Sequence, residues 1–356
     1  MPQNRRWSAH QIPNVARPGW LTLLAEQHGM ISLQQLRAYG HSADDIFANL
    51  TAGRWQRVLP RIYATFTGAL PRPARLSAAL LYGGRHAVLS HHTAAEEWRL
   101  VPTTDRPVEI TVPYSSSAVS QRPLVVVHRS RALQHTALDT TPPRTRGPDT
   151  ILDLAVSQQT AREATMLVVD LVSRSSIPLQ TVLDCFRLRP PYRYRPAILR
   201  GLDLIGNGLM SALEVEYLER VEDQHGLPRG ARQAPFAVDG KTLWEDVTYD
   251  NHGAAVTIRL DGRTTHATGG IAFRDRRRDN AAELAGRARL VYGWQDVHTS
   301  PCAVAAEVRR ILVREGWTPE GAREPTCPTC QFGGVVASAV PEGDAAGRVR
   351  GAAVEP

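Results

Sequence analysis

Lysine is almost absent from this chain. Lys241 is the only one, so 41 of the 42 basic residues are arginine. Arginine keeps its charge at every relevant pH and presents a planar fork that suits phosphate and carboxylate. Cysteine is scarce too, with four in 356 residues, too few for a disulfide scaffold. No run of eighteen apolar residues occurs, which argues against a membrane-spanning helix and a membrane partner. The start, MPQNRRWSAHQIPN, is basic but has no apolar stretch behind it, so it does not read as a secretory signal. A cytoplasmic protein is expected.

What is present is ordinary in amount and uneven in placement. Apolar residues make up 42% and charged residues 22%, as in soluble globular proteins, and the length allows two or three domains. The net charge of +7 suggests a polyanionic partner. The arginine bias, with abundant alanine, glycine and proline, also fits a GC-rich coding sequence. Placement says more than the total: the first 80 residues hold nine arginines against only Glu26, Asp44 and Asp45.

Periodicity and punctuation divide the chain. Residues 20–28 have helical spacing and stop at Gly29; Ser32 caps a short helix over 33–39; Ser42 opens a third over 43–52, closed by Gly53. RWQRVLPRIYATF then alternates apolar residues around a proline and reads as a two-stranded wing. Three short helices and a hairpin form a winged-helix layout, assigned to 18–68. Residues 74–139 predict a small α+β domain, with a helix over 75–82, a strand or loop HAVLSHHTAAEEW entering another helix, and strands over 108–113 and 124–128. TTPPRTRGPDT at 140–150 reads as a boundary, and 150–200 as a helical connector broken at 175–178. Residues 208–318 predict a helix over 211–225, strands near 232–238, 242–250 and 254–261, a helix near 275–286, a strand over 288–292 and a last helix over 303–315. That order is an α/β/α sandwich. Residues 331–356, small and polar, are expected to be disordered. The fold class expected is mixed α/β and multidomain.

The segment GMISLQQLRAYGHSADDIFANLTAGRWQRVLPRIYATF resembles the winged-helix domain of the AbiEi-type antitoxins. Gly53, Arg54, Trp55, Arg57, Val58, Pro60 and Tyr63 follow that family's wing pattern, over about 50 residues, and 74–139 looks like the domain that usually follows it. The resemblance implies DNA binding of the antitoxin or regulator kind. Arg54, Arg57 and Arg61 cluster on the wing, where they could contact phosphates. The presumed recognition helix opens with Asp44 and Asp45, which repel phosphates, although an acid can accept from cytosine N4; Asn49 and Thr51 could read bases. The alternative is a winged helix that contacts a protein partner, such as a toxin, without DNA.

The last unit resembles the very-short-patch-repair-like endonucleases, a branch of the PD-(D/E)xK nucleases, with their restriction-endonuclease-like sandwich. The match covers about 110 residues, including Ser211–Glu214, Gly226-Leu-Pro228, Asp246-Val-Thr-Tyr249, Leu260-Asp-Gly-Arg263, His266, the run Arg274 to Asn280, and Gly316-Trp317. Phosphodiester hydrolysis needs an activated water and a stabilised anionic transition state, and carboxylate-bound Mg²⁺ serves both. By resemblance, Asp246 and Asp261 would ligate the metal, Glu214 would be the helix-borne acid and His266 the acid–base group, with Arg276 and Arg278 on the substrate backbone. The family usually has an acid where this chain has Arg259. A guanidinium cannot ligate a metal and stays charged. The domain therefore reads as a degenerate nuclease, with an active Mg²⁺-dependent endonuclease as the alternative. Simpler readings stand beside each residue: Glu214 has capping-box spacing from Ser211, Asp246 could bond turn amides, Asp261-Gly262 is a turn signal, His266 fits an exposed loop, and the charged run a solvated helix face.

Cys327-Pro-Thr-Cys330 is a CxxC, and Cys302 lies 25 residues earlier. With His298 as fourth ligand they could hold zinc; a redox pair or free thiols are the alternatives. The endonuclease-like family often carries cysteines in these places. Cys185 reads as a neutral helix residue.

Overall fold

Two serines set the first helices. Ser32 Oγ accepts a hydrogen bond from the amide of Gln35 while the Gln35 side chain accepts one from the Ser32 amide, and Ser42 and Asp45 repeat the exchange. Each reciprocal cap stabilises its helix by about 1 kcal/mol. The computed structural model describes residues 17–189, 191–238, 241–261, 286–320 and 322–330. The chain divides into two compact units, Met1–Ala212 and Leu213–Pro356. The architecture is mixed α/β, with helices around three separate sheets.

The first unit begins with α1 (Arg17–Glu26), β1 (Met30–Ser32), α2 (Leu33–Ala38), α3 (Ala43–Thr51), β2 (Gln56–Leu59) and β3 (Ile62–Ala64). The strands form an antiparallel sheet in the order β1-β3-β2. Trp20, Ile31, Leu36, Ile46 and Trp55 form a small core beneath it. His41 is buried there, its ring 5.1 Å from Trp20 and 5.4 Å from Trp55.

Next come α4 (Arg72–Gly83), β4 (Val88–Leu89), α5 (His91–Glu97), β5 (Val108–Pro113), β6 (Val125–Ser130), α6 (Leu133–Thr136), β7 (Ala137–Leu138) and β8 (Arg144–Thr145). These strands make a five-stranded sheet, β6-β5-β4-β8-β7, in which β5–β6 and β4–β8 are parallel. Ala74, Leu76 and Ala78 of α4 pack with Leu89, Ile110 and Val112, and the same cluster takes in Met30, Leu59 and Ile62. The first sheet and this one therefore share a core. Helices α7 (Gly147–Val156), α8 (Ala161–Arg174), α9 (Leu179–Leu188) and α10 (Arg195–Gly206) complete the unit around Ile151, Leu154, Val168, Phe186 and Ile198, joined by Ala95 of α5. The expected boundary at 140–150 lies inside this unit instead. Its Pro-rich run covers β8, which pairs with β4 on one side and β7 on the other, so apparent linker composition is spent on a strand inside the sheet. A second helix break, at 157–160, arises because Thr160 and Glu163 cap α8.

The second unit opens with α11 (Ala212–Glu216), which widens into a π-turn over Tyr217–Asp223. Strands β9 (Ala231–Val238), β10 (Lys241–Thr248) and β11 (Val256–Asp261) form an antiparallel meander, and β12 (Ala288–Gly293) lies parallel to β11. The helices α12 (Trp294–Thr299) and α13 (Pro301–Arg314) follow. Val247, Ile258 and Leu260 on one sheet face pack with Leu213, Tyr217 and Val221 and with Val304, Val308 and Leu312. The expected helix near 275–286, apart from Gly286, and the tail over 331–356 lie outside the described residues, as do His266, Arg276 and Arg278. No helix among the described residues is long and apolar enough to cross a membrane.

Candidate functional site

Among the described residues, two groups of histidine, cysteine or acid each bring one ligand atom per residue within 4.8 Å of one another. The first, His225 with Cys302, Cys327 and Cys330, lies in the second unit and could hold a metal ion. His225 follows the π-turn. Its Nδ1 lies 3.2 Å from the Val221 carbonyl, which fixes that nitrogen as the donor. Its Nε2 is buried and has no hydrogen-bond partner. A buried imidazole nitrogen left bare beside three sulfurs is the arrangement a metal-ligating histidine takes, with its other nitrogen tied to a carbonyl. Cys302 stands in the first turn of α13. The sulfurs of Cys302 and Cys327 are 3.7 Å apart, far beyond the roughly 2.0 Å of a disulfide.

The CxxC segment is held in place by the backbone. The amides of Thr326 and Cys327 both donate to the Gln224 carbonyl, at 2.8 and 2.9 Å. Arg323 ties the approach to Asp223 and to the Leu227 carbonyl. Burial alone would push the Cys327 thiol up, but hydrogen bonds from the amides of Cys330 and Thr329 and from the neighbouring thiols bring it below the ordinary value. Burial and the adjacent sulfurs push Cys302 up to about 12. Burial draws His225 down. His298, expected as the fourth ligand, is elsewhere: its ring stacks on Trp294, its Nδ1 lies 3.6 Å from Glu216, and its carbonyl accepts from Arg220. His225 takes that place. Its signal in the sequence was only a histidine at a helix end, before Gly226-Leu-Pro228.

The acids of the nuclease-like reading divide between the sheet faces. Val247 pairs with Ile258 and Thr248 with Thr257, and continuing that register sets Asp246 opposite Arg259. Alternation puts Asp246, Arg259 and Asp261 on one face, and Glu245 with Val247, Ile258 and Leu260 on the core face. Asp246 accepts from the Leu260 amide at 2.8 Å, so its carboxylate is anchored at the β10–β11 seam. Asp261 is exposed at the strand end, and Arg259 is half-buried between the two acids' positions. Glu214 is buried on α11, among residues packed on the core face. Neither of the two metal-type groups includes Glu214, Asp246 or Asp261, so the Mg²⁺ expectation gains no support among the described residues. The sequence reading missed the adjacent buried network: Glu222 accepts from Arg232 at 2.5 Å, from Tyr249 at 2.7 Å and from the Gly230 amide at 3.0 Å. It fastens the π-turn to the meander.

In the first unit the three wing arginines separate. Arg54 donates to the Asn49 side chain at 2.7 Å and to the Ala48 carbonyl, closing the end of α3. Asn49 is fully buried, so it supports α3 and cannot read a base from that position. Arg57 on β2 and Arg61 in the β2–β3 turn are exposed. The outer side of α3 presents Asp44, Phe47 and Thr51, with Phe47 69% exposed. No protein-family model matches the chain and no curated protein matches it.

Proposed function

We propose that this protein binds DNA through α1–α3 and the β2–β3 hairpin, in the manner of an antitoxin-type regulator, and that its second unit is an endonuclease-type fold, stabilised by zinc and impaired for cleavage by Arg259. The observation that carries the first part is the wing. The β1-β3-β2 sheet with α3 immediately before its hairpin fits a winged helix, and Arg57 and Arg61 stand exposed on that hairpin. Phosphate contacts of this kind release counterions, so binding should weaken steeply with salt. Titration of a duplex at two ionic strengths tests it. Arg57→Ala with Arg61→Ala should lower affinity at least tenfold and flatten the salt slope by about 2. Affinity unchanged by both would sink the reading. Arg54→Ala should act through α3 stability instead, visible as a lower melting temperature.

Zinc fits the first metal-type group. Three thiolates and an imidazole are a zinc donor set, and sulfurs at about 2.3 Å from a tetrahedral ion lie about 3.8 Å apart, against 3.7 Å between Cys302 and Cys327. Four protein ligands leave no open position, so this ion would be structural. It would hold the CxxC segment to the end of the π-turn and the start of α13.

The nuclease-like face supports a second statement. The meander followed by a parallel β12 matches the strand order of a PD-(D/E)xK core, and Arg259 shares the face of Asp246 and Asp261. A fixed cation there inverts the electrostatics that a metal needs. Purified protein with plasmid and Mg²⁺ or Mn²⁺ should show no nicking, while Arg259→Glu should restore it. Wild-type nicking that disappears in Asp246→Ala would overturn the impaired-site reading. Phe47 favours a second reading of α3, contact with a protein partner, because an exposed aromatic beside Asp44 suits a protein surface better than phosphates. Phe47→Asp would then abolish partner binding and spare DNA.

A further inference from the structure

The second metal-type group, in the first unit, belongs to none of the functions above. His91 begins α5 just after β4, Glu109 lies on β5 and His128 on β6. Because the sheet runs β6-β5-β4, Glu109 and His128 on adjacent strands meet His91 at the helix start that follows β4. Ser90 donates its amide to the Glu109 carbonyl at 3.0 Å, which fixes the start of α5 against β5. His128 is two places further along β6 than Val126, the partner of Glu109, and its Nε2 lies 2.9 Å from Glu109 Oε2. The His91 and His128 rings stack 3.6 Å apart, 15° from parallel. His91 Nδ1 is 3.1 Å from Ser90 Oγ.

Two features distinguish this group from a hydrogen-bonded pair that merely packs. His91 has φ of 48°, a left-handed conformation that costs a residue with a side chain about 1 kcal/mol or more and concentrates at functional sites. The group also borders a cavity of about 460 Å³, lined by His91, His128, Tyr114, Arg129, Arg131 and Tyr192 among others. Arg129 donates to the carbonyls of Ser116 and Ala118, partners without charge, and Arg131 lies 4.1 Å over the Tyr114 ring. The wall of the cavity therefore carries Arg129 and Arg131 beside the two imidazoles, and Asp153 on the same wall is paired with Arg189 at 2.8 Å.

We propose that His91, Glu109 and His128 bind one divalent transition-metal ion, with an open coordination position facing this cavity for an anionic oxygen ligand such as phosphate. Two imidazoles and a carboxylate suit zinc, cobalt or nickel, and three protein ligands are the set that leaves a position free. The ligand atoms are within 4.8 Å of each other; around a tetrahedral ion at about 2.1 Å they would lie about 3.4 Å apart. Closing that difference needs the imidazoles to turn and the His128–Glu109 hydrogen bond to give way to metal bonds. Arg129 and Arg131 would complement the charge of the incoming oxygen ligand.

The test uses the full chain, stripped with chelator and titrated with Co²⁺. Expected are two ions per chain: one with an intense thiolate-to-metal band from the cysteine group, and one with weak ligand-field bands only. His128→Gln, which can still hydrogen-bond Glu109, should lose the second ion alone, as should His91→Ala, with at least a tenfold weakening in Glu109→Gln. Inorganic phosphate should shift the ligand-field bands without touching the thiolate band. Absence of the second ion, or its survival in a folded His128→Gln, would overturn the site; phosphate without effect would overturn the open position. Loss of the thiolate band alone would count against the zinc reading and leave this one standing.

Discussion

At Gly226 the backbone turns left-handed, with φ of +67°, and a Cβ built there would lie 2.1 Å from the Arg323 carbonyl oxygen. No side-chain rotation relieves a clash with main chain, so the incoming 322–330 segment would have to move. Gly226→Ala should cost about 2–3 kcal/mol and weaken metal uptake at the neighbouring cysteines; a melt and a cobalt titration on the same sample read both. His41 gives a pH effect in the first unit. Burial between Trp20 and Trp55 lowers its pKa from 6.5, outweighing the upward pull of Asp45. The unfolded chain therefore takes up a proton before the folded one does. The stability contributed by the neutral ring is fully present above about pH 6.5 and is lost as pH falls through that value, down to the lower folded pKa. Melting temperatures followed by tryptophan emission should fall between pH 7.5 and 5, and His41→Phe should make that slope shallower, leaving the share of His91 and His92, whose pKa values burial also lowers. An equal slope in the variant would assign the effect to other groups.

At the scale of elements, the local signals were readable and the convergent ones were not. Ser32 and Ser42 announced α2 and α3 because a cap is written within four residues, and Val108–Pro113 declared itself by alternating side chains. The order of three short helices before a hairpin and the helix–meander–strand–helix order were legible for the same reason. Arg54 was ambiguous in the sequence because cap and phosphate contact ask for the same residue type; its 2.7 Å bond to Asn49 appears only in the fold. His225 and the His91–Glu109–His128 group depend on which strands and segments lie side by side, a property of the tertiary path. The clasp formed by 322–330 is such a convergence. Chelation should release it and lower the melting temperature of the second unit by about 10 °C, and Cys330→Ser should reproduce the loss without chelator. A melt indifferent to both would mean that the segment is held by Arg323 and the Gln224 carbonyl alone.

For the whole molecule, charge and metal are separate matters. The excess of arginine is concentrated in the first unit, where Arg57 and Arg61 stand exposed, whereas many arginines of the second unit are spent internally. Arg232 is buried on Glu222, Arg287 holds Asp250, and Arg229 and Arg323 share Asp223. A net charge of +7 therefore overstates what the second unit offers to a polyanion. The cysteine group bears on how the protein is made. Its ligands emerge from the ribosome at widely separated times, His225 first and Cys330 last. A nascent chain halted after α13 carries a thiol and an imidazole with no clasp to close over them. If the group takes a metal, its capture would require the chain through Cys330, and a product stalled earlier would present the Cys302 thiol and an undocked helix end to the machinery that removes unfinished chains.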